Sequence, residues 1–303
     1  MIVCYNVYLY YCFVYTPLRM GLLWCFRFNG VRATLAVALC FGWKRMAGVW
    51  EKTPKYSFVI PVRNRKGLRL RNTLASLEAQ RFPRPLYEII VVDYGGKDSL
   101  EGWLKECAPQ ARYVRTDEPG VFNEARAKNI GIRQASGSYI ISTNADIVFE
   151  KNFLLALDAL FAVFPDRLAL CMRCDLDKGV VENHGEKVVE ELEALRRLDS
   201  TVQRSHWWVG DCQASKKENF EEIRGFNEDF VGWGRLDNDL RSRMEEAGKR
   251  AFWLNPFTFI AHQNHEQDLK TVRAQAESND RVLAKKYPDF CRNLEGDWGQ
   301  ITP

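Results

Sequence analysis

Residues 56–65 read Tyr-Ser-Phe-Val-Ile-Pro-Val-Arg-Asn-Arg, an apolar run that ends in two arginines around an asparagine. Residues 56–61 predict a buried strand, because aromatic and β-branched side chains favour the pleated backbone. Leucines then recur at helical spacing between positions 70 and 77, and residues 87–93 form a second short apolar run that ends in Asp-Tyr-Gly-Gly. Strand, helix and strand in this order predict two parallel strands joined by a crossover helix.

The same alternation continues along the chain. We predict further strands at residues 111–116, 138–142 and 168–174, and helices at residues 122–135 and 151–164. No internal repeat or low-complexity linker separates these elements. The sequence therefore predicts an α/β fold, with a mostly parallel sheet and helices on both of its faces, in one domain over residues 54–303.

Residues 1–53 differ in composition from the rest and form a hydrophobic N-terminal extension. The apolar run at residues 2–15 is shorter than the ~20 residues of a spanning helix, and no basic residues precede it as in a signal peptide. Arginines follow it, so insertion would leave the rest of the chain on the cytoplasmic side. Three interpretations of residues 1–45 stay open: a membrane-associating segment, a packed extension, or translated sequence upstream of a true start near Met46.

Composition and charge exclude some classes of protein. A net charge of +4 over 303 residues, with basic residues spread along the chain, argues against a nucleic-acid partner. Nine cysteines at irregular spacings and the lack of an Asn-x-Ser/Thr sequon indicate a reducing compartment. We expect a cytoplasmic protein, or one held peripherally or by an anchor at the cytoplasmic face of a membrane.

The turn before residue 240 has the chemistry of a sugar site. Residues 225–240 read Gly-Phe-Asn-Glu-Asp-Phe-Val-Gly-Trp-Gly-Arg-Leu-Asp-Asn-Asp-Leu. Trp233 offers a flat apolar face to a pyranose ring, and the glycines on either side of it allow backbone conformations that other residues resist. Asp237 stands where a general base could meet a hydroxyl, whereas Asp239 is predicted to face another side of the following helix.

This turn resembles the Trp-Gly-x-x-Asp segment of inverting GT-A glycosyltransferases. It is most similar to the galactosyltransferase-like C-terminal half of some family-2 glycosyltransferases, where the turn usually reads Trp-Gly-Gly-Glu-Asp. Arg235 and Leu236 replace the Gly-Glu pair here. The resemblance implies a GT-A (Rossmann-like) catalytic domain with Asp237 as the catalytic base. It also implies that Trp233, Gly234 and Asp237 bind the acceptor.

The resemblance extends to the donor half. Residues 61–65 are similar to the Pro-x-Arg-Asn-Arg run with which galactosyltransferase-like enzymes hold a uridine nucleotide, and guanidinium groups fit phosphate oxygens. Asp93 resembles the family-2 aspartate that accepts a hydrogen bond from the nucleobase, although taken alone it is equally compatible with capping the following turn. Residues 123–131 and 139–146 resemble the Ala-Arg-Asn-x-Gly helix and the Asp-x-Asp strand end. The implied donor-binding residues are Pro61, Arg63, Asn64, Arg65, Asp93, Arg126 and Asn144.

A metal site is implied by the same block. Asn144 occupies the first acidic position of the Asp-x-Asp motif, so Asp146 is its one carboxylate. His262 and His265 follow the last predicted strand, where related enzymes complete the metal shell, and His265 matches the histidine ligand of the galactosyltransferase-like pattern. Nitrogen ligands favour Mn²⁺ over Mg²⁺. Helix capping by Asp146 and a surface location for the histidines are the alternatives.

The resemblance as a whole implies an inverting, metal-dependent glycosyltransferase of the hexosyltransferase type. It would move a sugar from a nucleotide-diphosphate donor, a UDP-sugar, to a hydroxyl of a glycan, lipid-linked or small-molecule acceptor. Residues 54–150 would form the nucleotide-binding half, and residues 151–303 the acceptor and catalytic half. The changes at Asn144 and Leu236 leave an alternative: a catalytically silent nucleotide-sugar-binding protein or a membrane scaffold.

Overall fold

A computed structural model describes residues 53–197, 210–255, 257–266, 268–296 and 298–301, and the backbone alone of residues 10–16, 19–28, 31–35 and 202–204. The chain divides into two compact units, Met1–Lys52 and Thr53–Pro303. In the first unit, an antiparallel sheet has the order β1-β2-β3, with β1 Tyr10–Thr16, β2 Arg19–Phe28 and β3 Val31–Leu35. Much of the apolar sequence at residues 2–15 and 33–43 lies outside the described residues, so membrane association stays a prediction.

The second unit alternates strands and helices. Its first elements are β4 Tyr56–Val62, α1 Leu68–Glu78, β5 Tyr87–Tyr94, α2 Glu101–Cys107, β6 Arg112–Thr116, α3 Glu124–Gln134, β7 Tyr139–Thr143, β8 Ile147–Phe149, α4 Phe153–Val163 and β9 Leu168–Leu170. They are followed by β10 Arg173–Leu176, α5 Lys178–His184, α6 Val188–Arg197, β11 Val202–Arg204, β12 Cys212–Lys216, α7 Lys217–Glu222, α8 Leu236–Glu246, β13 Ala251–Trp253, β14 Ile260–Gln263 and α9 Leu269–Leu283.

The main sheet has seven strands in the order β13-β9-β12-β7-β4-β5-β6. Strand β4 pairs in parallel with β5 and β7, and β6 extends the sheet in parallel from β5. Strand β12 runs antiparallel between β7 and β9. The prediction of a mostly parallel α/β sheet is therefore confirmed.

Helices cover both faces of this sheet. Side chains alternate along β4, so that Phe58 joins the apolar cluster formed with α1, α2 and α4. Val59 joins the cluster formed with α3, α7 and α8 on the other face. Both side chains are fully buried. The seven-residue β4 is thus the centre of two apolar layers, as the apolar sequence of residues 56–61 predicts.

A smaller sheet with the order β11-β10-β14-β8 carries part of the candidate site. The single strand predicted at residues 168–174 is wrong, because the chain leaves the main sheet after β9 and enters the small sheet at β10. Asn255 explains the break: its side chain accepts a hydrogen bond from the Met172 backbone nitrogen at 2.7 Å, in place of a strand partner.

Within the described ranges, none of the helices combines the length and the apolar content that crossing a bilayer requires.

Candidate functional site

The three predicted metal ligands lie together at the edge of the small sheet. Strands β8 and β14 are antiparallel neighbours, which brings Asp146, just before β8, beside His262 of β14 and the following His265. The Asp146 Oδ2 atom lies 3.7 Å from His262 Nε2 and 3.3 Å from His265 Nε2. Ligand atoms of all three side chains lie within 4.8 Å of one another. One carboxylate and two imidazoles arranged in this way fit a divalent transition-metal ion.

Hydrogen bonds behind the imidazoles orient them for metal binding. His262 Nδ1 lies 3.0 Å from Asp175 Oδ1 of β10, and His265 Nδ1 lies 2.8 Å from the Glu266 carbonyl oxygen. When both Nδ1 atoms carry the proton and donate it to these oxygens, both Nε2 atoms are available to a cation beside Asp146. Such outer hydrogen bonds are typical of histidine ligands.

Charge within the cluster also suits a cation. Burial acts to raise the pKa of Asp146, but hydrogen bonds from His262 and His265 hold it well below the ordinary value. Burial acts to lower the pKa of His262, and hydrogen bonds to Asp146 and Asp175 outweigh this effect and raise it to about 9. The cluster thus holds a proton at neutral pH, and a bound cation would displace it.

The predicted donor residues after β4 contact the loops that follow β5 and β6. The half-buried Arg63 donates to the Gly120 carbonyl oxygen at 2.6 Å. Asn64, with a positive φ of 54°, accepts a hydrogen bond from the Lys97 backbone nitrogen at 2.8 Å. Pro61 is buried in β4, whereas Arg65 is exposed. The three loops therefore converge at the carboxyl ends of the parallel strands, where α/β sheets bind ligands.

Asp93 is fully buried at the end of β5, and its hydrogen bonds to described residues go to one of its two carboxylate oxygens. Its Oδ2 accepts hydrogen bonds from the Tyr113 hydroxyl at 2.7 Å and from Arg115 at 3.1 Å. Its Oδ1 has no hydrogen-bond partner among the described residues. The backbone of Gly96 passes so close that a Cβ there would lie 2.3 Å from Oδ1. Because Oδ1 accepts no hydrogen bond from the turn, the geometry does not favour the capping alternative.

Two predicted donor residues are engaged by other protein groups. Arg126 lies between Glu118, at 2.9 Å, and Glu228, at 3.0 Å, and therefore ties α3 to the turn at residues 225–240. Asn144 donates to Asp211 Oδ1 at 3.2 Å. Direct binding of a donor by either side chain stays a prediction, since the structure shows each holding neighbouring segments in place.

The Trp-Gly turn has a left-handed backbone before α8. The φ angles are 74° at Gly232, 98° at Gly234 and 72° at Arg235, a region that glycine tolerates best. Helix α9 holds this turn from outside. Asn279 donates to the carbonyl oxygens of Val231, Trp233 and Gly234 at 3.2, 3.2 and 2.9 Å.

Gln275, four residues before Asn279 on α9, also holds the Trp-Gly turn. Its Oε1 accepts a hydrogen bond from the Trp233 backbone nitrogen at 2.9 Å. Sequence reasoning missed both amides. Their four-residue spacing on a charged helix was the available signal.

We predict that Asn279→Ala lowers the free energy of unfolding by about 1–3 kcal/mol, because three carbonyl oxygens of the turn lose the donor that the buried Asn279 side chain supplies. Thermal denaturation would measure this change. The control is Asn238→Ala, at an exposed position of α8, which is expected to change the free energy of unfolding little. Equal stability of the two variants would show that α9 does not hold the turn.

Asp237 lies in the first turn of α8, with its side chain about one-fifth (21%) exposed. Its Oδ1 lies 3.3 Å from the Nζ atom of Lys128. Burial raises the pKa of Asp237 to about 6; Lys128 acts to lower it, and the charges of Glu124 and Asp211 act to raise it. A carboxyl that is ionised near neutral pH and still basic suits proton abstraction.

The base and the metal cluster are linked by two consecutive residues ahead of β12. The backbone of Gly210 passes so close to Asp237 that a Cβ there would lie 2.1 Å from its Oδ2. The next residue, Asp211, bonds Asn144, which stands two residues before Asp146. Asp211 is also held by Arg173, with both carboxylate oxygens at 3.1 Å. Sequence reasoning missed Lys128, Asp211 and Arg173.

Comparison with known proteins identifies the family. Residues 57–216, more than half of the chain, match the family described as Glycosyl transferase family 2. The chain belongs to glycosyl transferase family 2. Residues 203–266, which contain Asp237, His262 and His265, also match a family described as the N-terminal domain of galactosyltransferase. The predicted family and its galactosyltransferase-like C-terminal half are thus confirmed.

Two relatives have described activities. Validoxylamine A glucosyltransferase of Streptomyces hygroscopicus subsp. jinggangensis (strain 5008) is 28% identical over 232 residues, which cover 67% of this chain and 54% of that protein. Chondroitin synthase of Escherichia coli is 23% identical over 274 residues, or 79% of this chain and 39% of that protein. The chain therefore spans about half the length, or less, of these relatives.

Solved structures of glycosyltransferases share the fold. S. aureus TarS 1-349 in complex with UDP superposes with a TM-score of 0.55 at 14% identity, covering 77% of this chain and 67% of that one. Mannosyltransferase PcManGT from Pyrobaculum calidifontis, in complex with GDP-Man and Mn²⁺, superposes with a TM-score of 0.54 at 20% identity, covering 80% of this chain and 70% of that one. These neighbours confirm the GT-A fold.

Proposed function

We propose that the protein is an inverting, metal-dependent glycosyltransferase that moves a hexose from a UDP-sugar to an acceptor hydroxyl. The observation that carries this proposal is that the basic carboxylate of Asp237 lies close to the segment that carries the candidate metal ligands. Gly210 contacts Asp237, and Asp211 bonds the segment that carries Asp146. A sugar whose diphosphate lies at the cluster would present its anomeric carbon to the Asp237 side of the site.

The donor would bind along the loops at the carboxyl ends of the strands. Within the part of the chain that the structure describes, one carboxylate oxygen of the buried Asp93 has no hydrogen-bond partner, which suits the N–H group of a nucleobase. Arg63 and Arg65 supply positive charge for the diphosphate, and residues 61–65 resemble a uridine-binding run. The ligands in the related structures are also a nucleoside diphosphate and a nucleotide sugar, since TarS was solved with UDP and PcManGT with GDP-Man.

Asp146, His262 and His265 would hold a divalent cation, with Asp175 and the Glu266 carbonyl fixing the imidazoles. When bound, the ion supplies charge stabilisation to the leaving diphosphate. Two nitrogen ligands favour Mn²⁺ over Mg²⁺, and Mn²⁺ is the ion present with PcManGT.

Transfer would occur by one displacement. Asp237 accepts the proton of the acceptor hydroxyl while the oxygen of that hydroxyl bonds to the anomeric carbon. The bond from that carbon to the phosphate oxygen breaks, and the nucleoside diphosphate leaves. Trp233 would stack on the acceptor sugar beside Gly234. In this scheme, residues 54–150 contribute most of the donor site, and residues 151–303 contribute the base, the two histidines and the acceptor site.

A panel of nucleotide sugars tests this function. The protein is incubated with Mn²⁺, each donor and a set of glycan, lipid-linked and small-molecule acceptors, and nucleotide release is measured. We expect acceptor-dependent release from a UDP-sugar and its loss in excess chelator. Tight nucleotide binding without release from any donor would instead support the catalytically silent alternative, for which Asn144 and Leu236 are the motif changes.

The pH dependence of transfer follows from the pKa of Asp237. A general base works only when it is deprotonated, so kcat/KM for the acceptor should be half its maximum at a pH of about 6 and near its maximum about one pH unit higher. Below a pH of about 6 we expect a fall of about tenfold for each pH unit. The rate is measured at saturating donor and Mn²⁺, which keeps the metal ligands deprotonated. A rate that is unchanged between pH 5 and pH 7 would contradict the role of Asp237.

A further inference from the structure

Lys128 is a fully buried lysine in the middle of α3. Its Nζ atom lies 2.7 Å from Glu124 Oε1, one turn earlier on the same helix, and 3.3 Å from Asp237 Oδ1. The same ammonium lies 5.0 Å from the centroid of the Phe226 ring. Burial of a charged lysine costs free energy unless the ammonium is paired, and these carboxylates provide the pairing.

The ammonium remains charged in this position. Burial acts to lower the pKa of Lys128, but the charges of Asp237 and Glu124 outweigh that effect and raise it above the ordinary value. Glu124 by itself would provide an ion-pair partner at helical spacing. The additional contact joins α3 to the catalytic turn, 109 positions further along the chain.

Other charges face Asp237 as well. Helix α3 presents Lys128 and Glu124, and the segment ahead of β12 presents Asp211. Arg173 already engages both oxygens of Asp211. Among the described residues, Lys128 is the cation that contacts the Asp237 carboxylate. The neighbouring carboxylates of Glu124 and Asp211 oppose the ionisation of Asp237.

We propose that Lys128 and Glu124 are positioning residues that set the charge of the catalytic base. Lys128 holds Asp237 ionised and fixes the direction of its Oδ1, and Glu124 limits this effect by sharing the ammonium. The inference rests on the proposed function, because the charge of Asp237 affects turnover only if Asp237 accepts the acceptor proton.

Removal of the two partners should have opposite effects. Lys128→Met leaves two carboxylates facing each other without a cation, a situation in which one of them retains a proton. Its acid limb in the pH–rate profile should rise by about 1 to 2 pH units, so transfer at neutral pH falls about two- to tenfold and recovers at about pH 9. Glu124→Gln frees the ammonium for Asp237, and its acid limb should fall below that of the wild type.

Two measurements on the full chain test this inference. The first is the pH–rate profile of transfer, and the second is NMR titration of the ¹³C-labelled Asp237 carboxyl, assigned with Asp237→Asn. Glu222→Gln is the matched control, because it removes a glutamate that pairs with Lys249. Its acid limb should remain that of the wild type. Lys128→Arg keeps the charge and should restore part of the neutral-pH activity.

The outcomes separate the two proposals. Opposite displacements of the Asp237 titration in Lys128→Met and Glu124→Gln support the positioning role, and the isosteric Glu124→Gln provides the result if Lys128→Met does not fold. An Asp237 titration that does not respond to either variant would overturn the role while transfer by the wild type still stands. If the NMR titration of Asp237 is displaced but the wild type transfers no sugar, the glycosyltransferase proposal is overturned. The proposed effect of Lys128 and Glu124 on catalysis is then overturned as well.

Discussion

Replacement of Asp237 by asparagine should reduce transfer by about 10² to 10⁴-fold and leave donor affinity nearly unchanged. The amide has the shape of the carboxylate but cannot accept the proton of the acceptor hydroxyl. The contacts proposed for the donor lie on other loops, so nucleotide binding should persist. Donor affinity is measured by calorimetric titration and turnover by nucleotide release.

The control for this variant needs an aspartate outside the site. Asp239 stands two residues after Asp237, and the sequence predicts that it faces another side of the helix. Asp239 is buried, however, and accepts a hydrogen bond from Arg243 at 2.7 Å, so its neutralisation would also cost stability. Breaking a buried pair of this kind is strongly destabilising.

Asp229→Asn is the better control, because Asp229 pairs with Lys285 at the surface and such pairs contribute little to stability. Equal losses in Asp237→Asn and Asp229→Asn would show that the effect is not specific to the base. Undiminished transfer by Asp237→Asn would refute the assignment.

Removal of the metal should have an effect of similar size. We expect excess chelator to abolish transfer and Mn²⁺ to restore it. Asp146→Ala should lose nucleotide-dependent Mn²⁺ binding, because it removes the one carboxylate of the cluster. Asp175→Asn should weaken metal affinity by about 10 to 100-fold, since it alters the hydrogen bond that orients His262. Calorimetry with Mn²⁺ and UDP measures each affinity.

The histidines provide a matched pair of variants for the same experiment. His265→Ala should lose metal affinity, whereas His184→Ala should retain it, because His184 lies outside the cluster and pairs with Glu191. Full activity of Asp146→Ala in excess chelator would remove the metal assignment.

The fold was predictable because its signals are local. Apolar runs of strand length alternate with helical periodicity from residue 56 onward, and short strands that alternate with helices dictate a layered α/β arrangement. The break at Met172 was not predictable, because it depends on Asn255, which lies 83 positions away in sequence. An apolar run does not reveal where a strand changes sheets.

The site was predictable where motif residues lie at or next to the ends of strands. Asp146, His262 and His265 are of this kind, and the antiparallel pairing of β8 with β14 brings them together. The residues that tune and hold the site were not predictable. Lys128 reads as one more charge on an amphipathic helix, and Asn279 as one more polar residue on a charged one. Their roles arise only from packing against the turn at residues 225–240.

The configuration at the anomeric carbon of the product tests the single displacement most directly. The donor that the nucleotide-sugar panel selects is incubated with Mn²⁺ and its acceptor, and the anomeric proton of the product is examined by NMR. Direct attack by a hydroxyl that Asp237 deprotonates predicts the configuration opposite to that of the donor, so an α-linked nucleotide sugar should give a β-linked product. A product with the donor's own configuration would contradict a single displacement at this site.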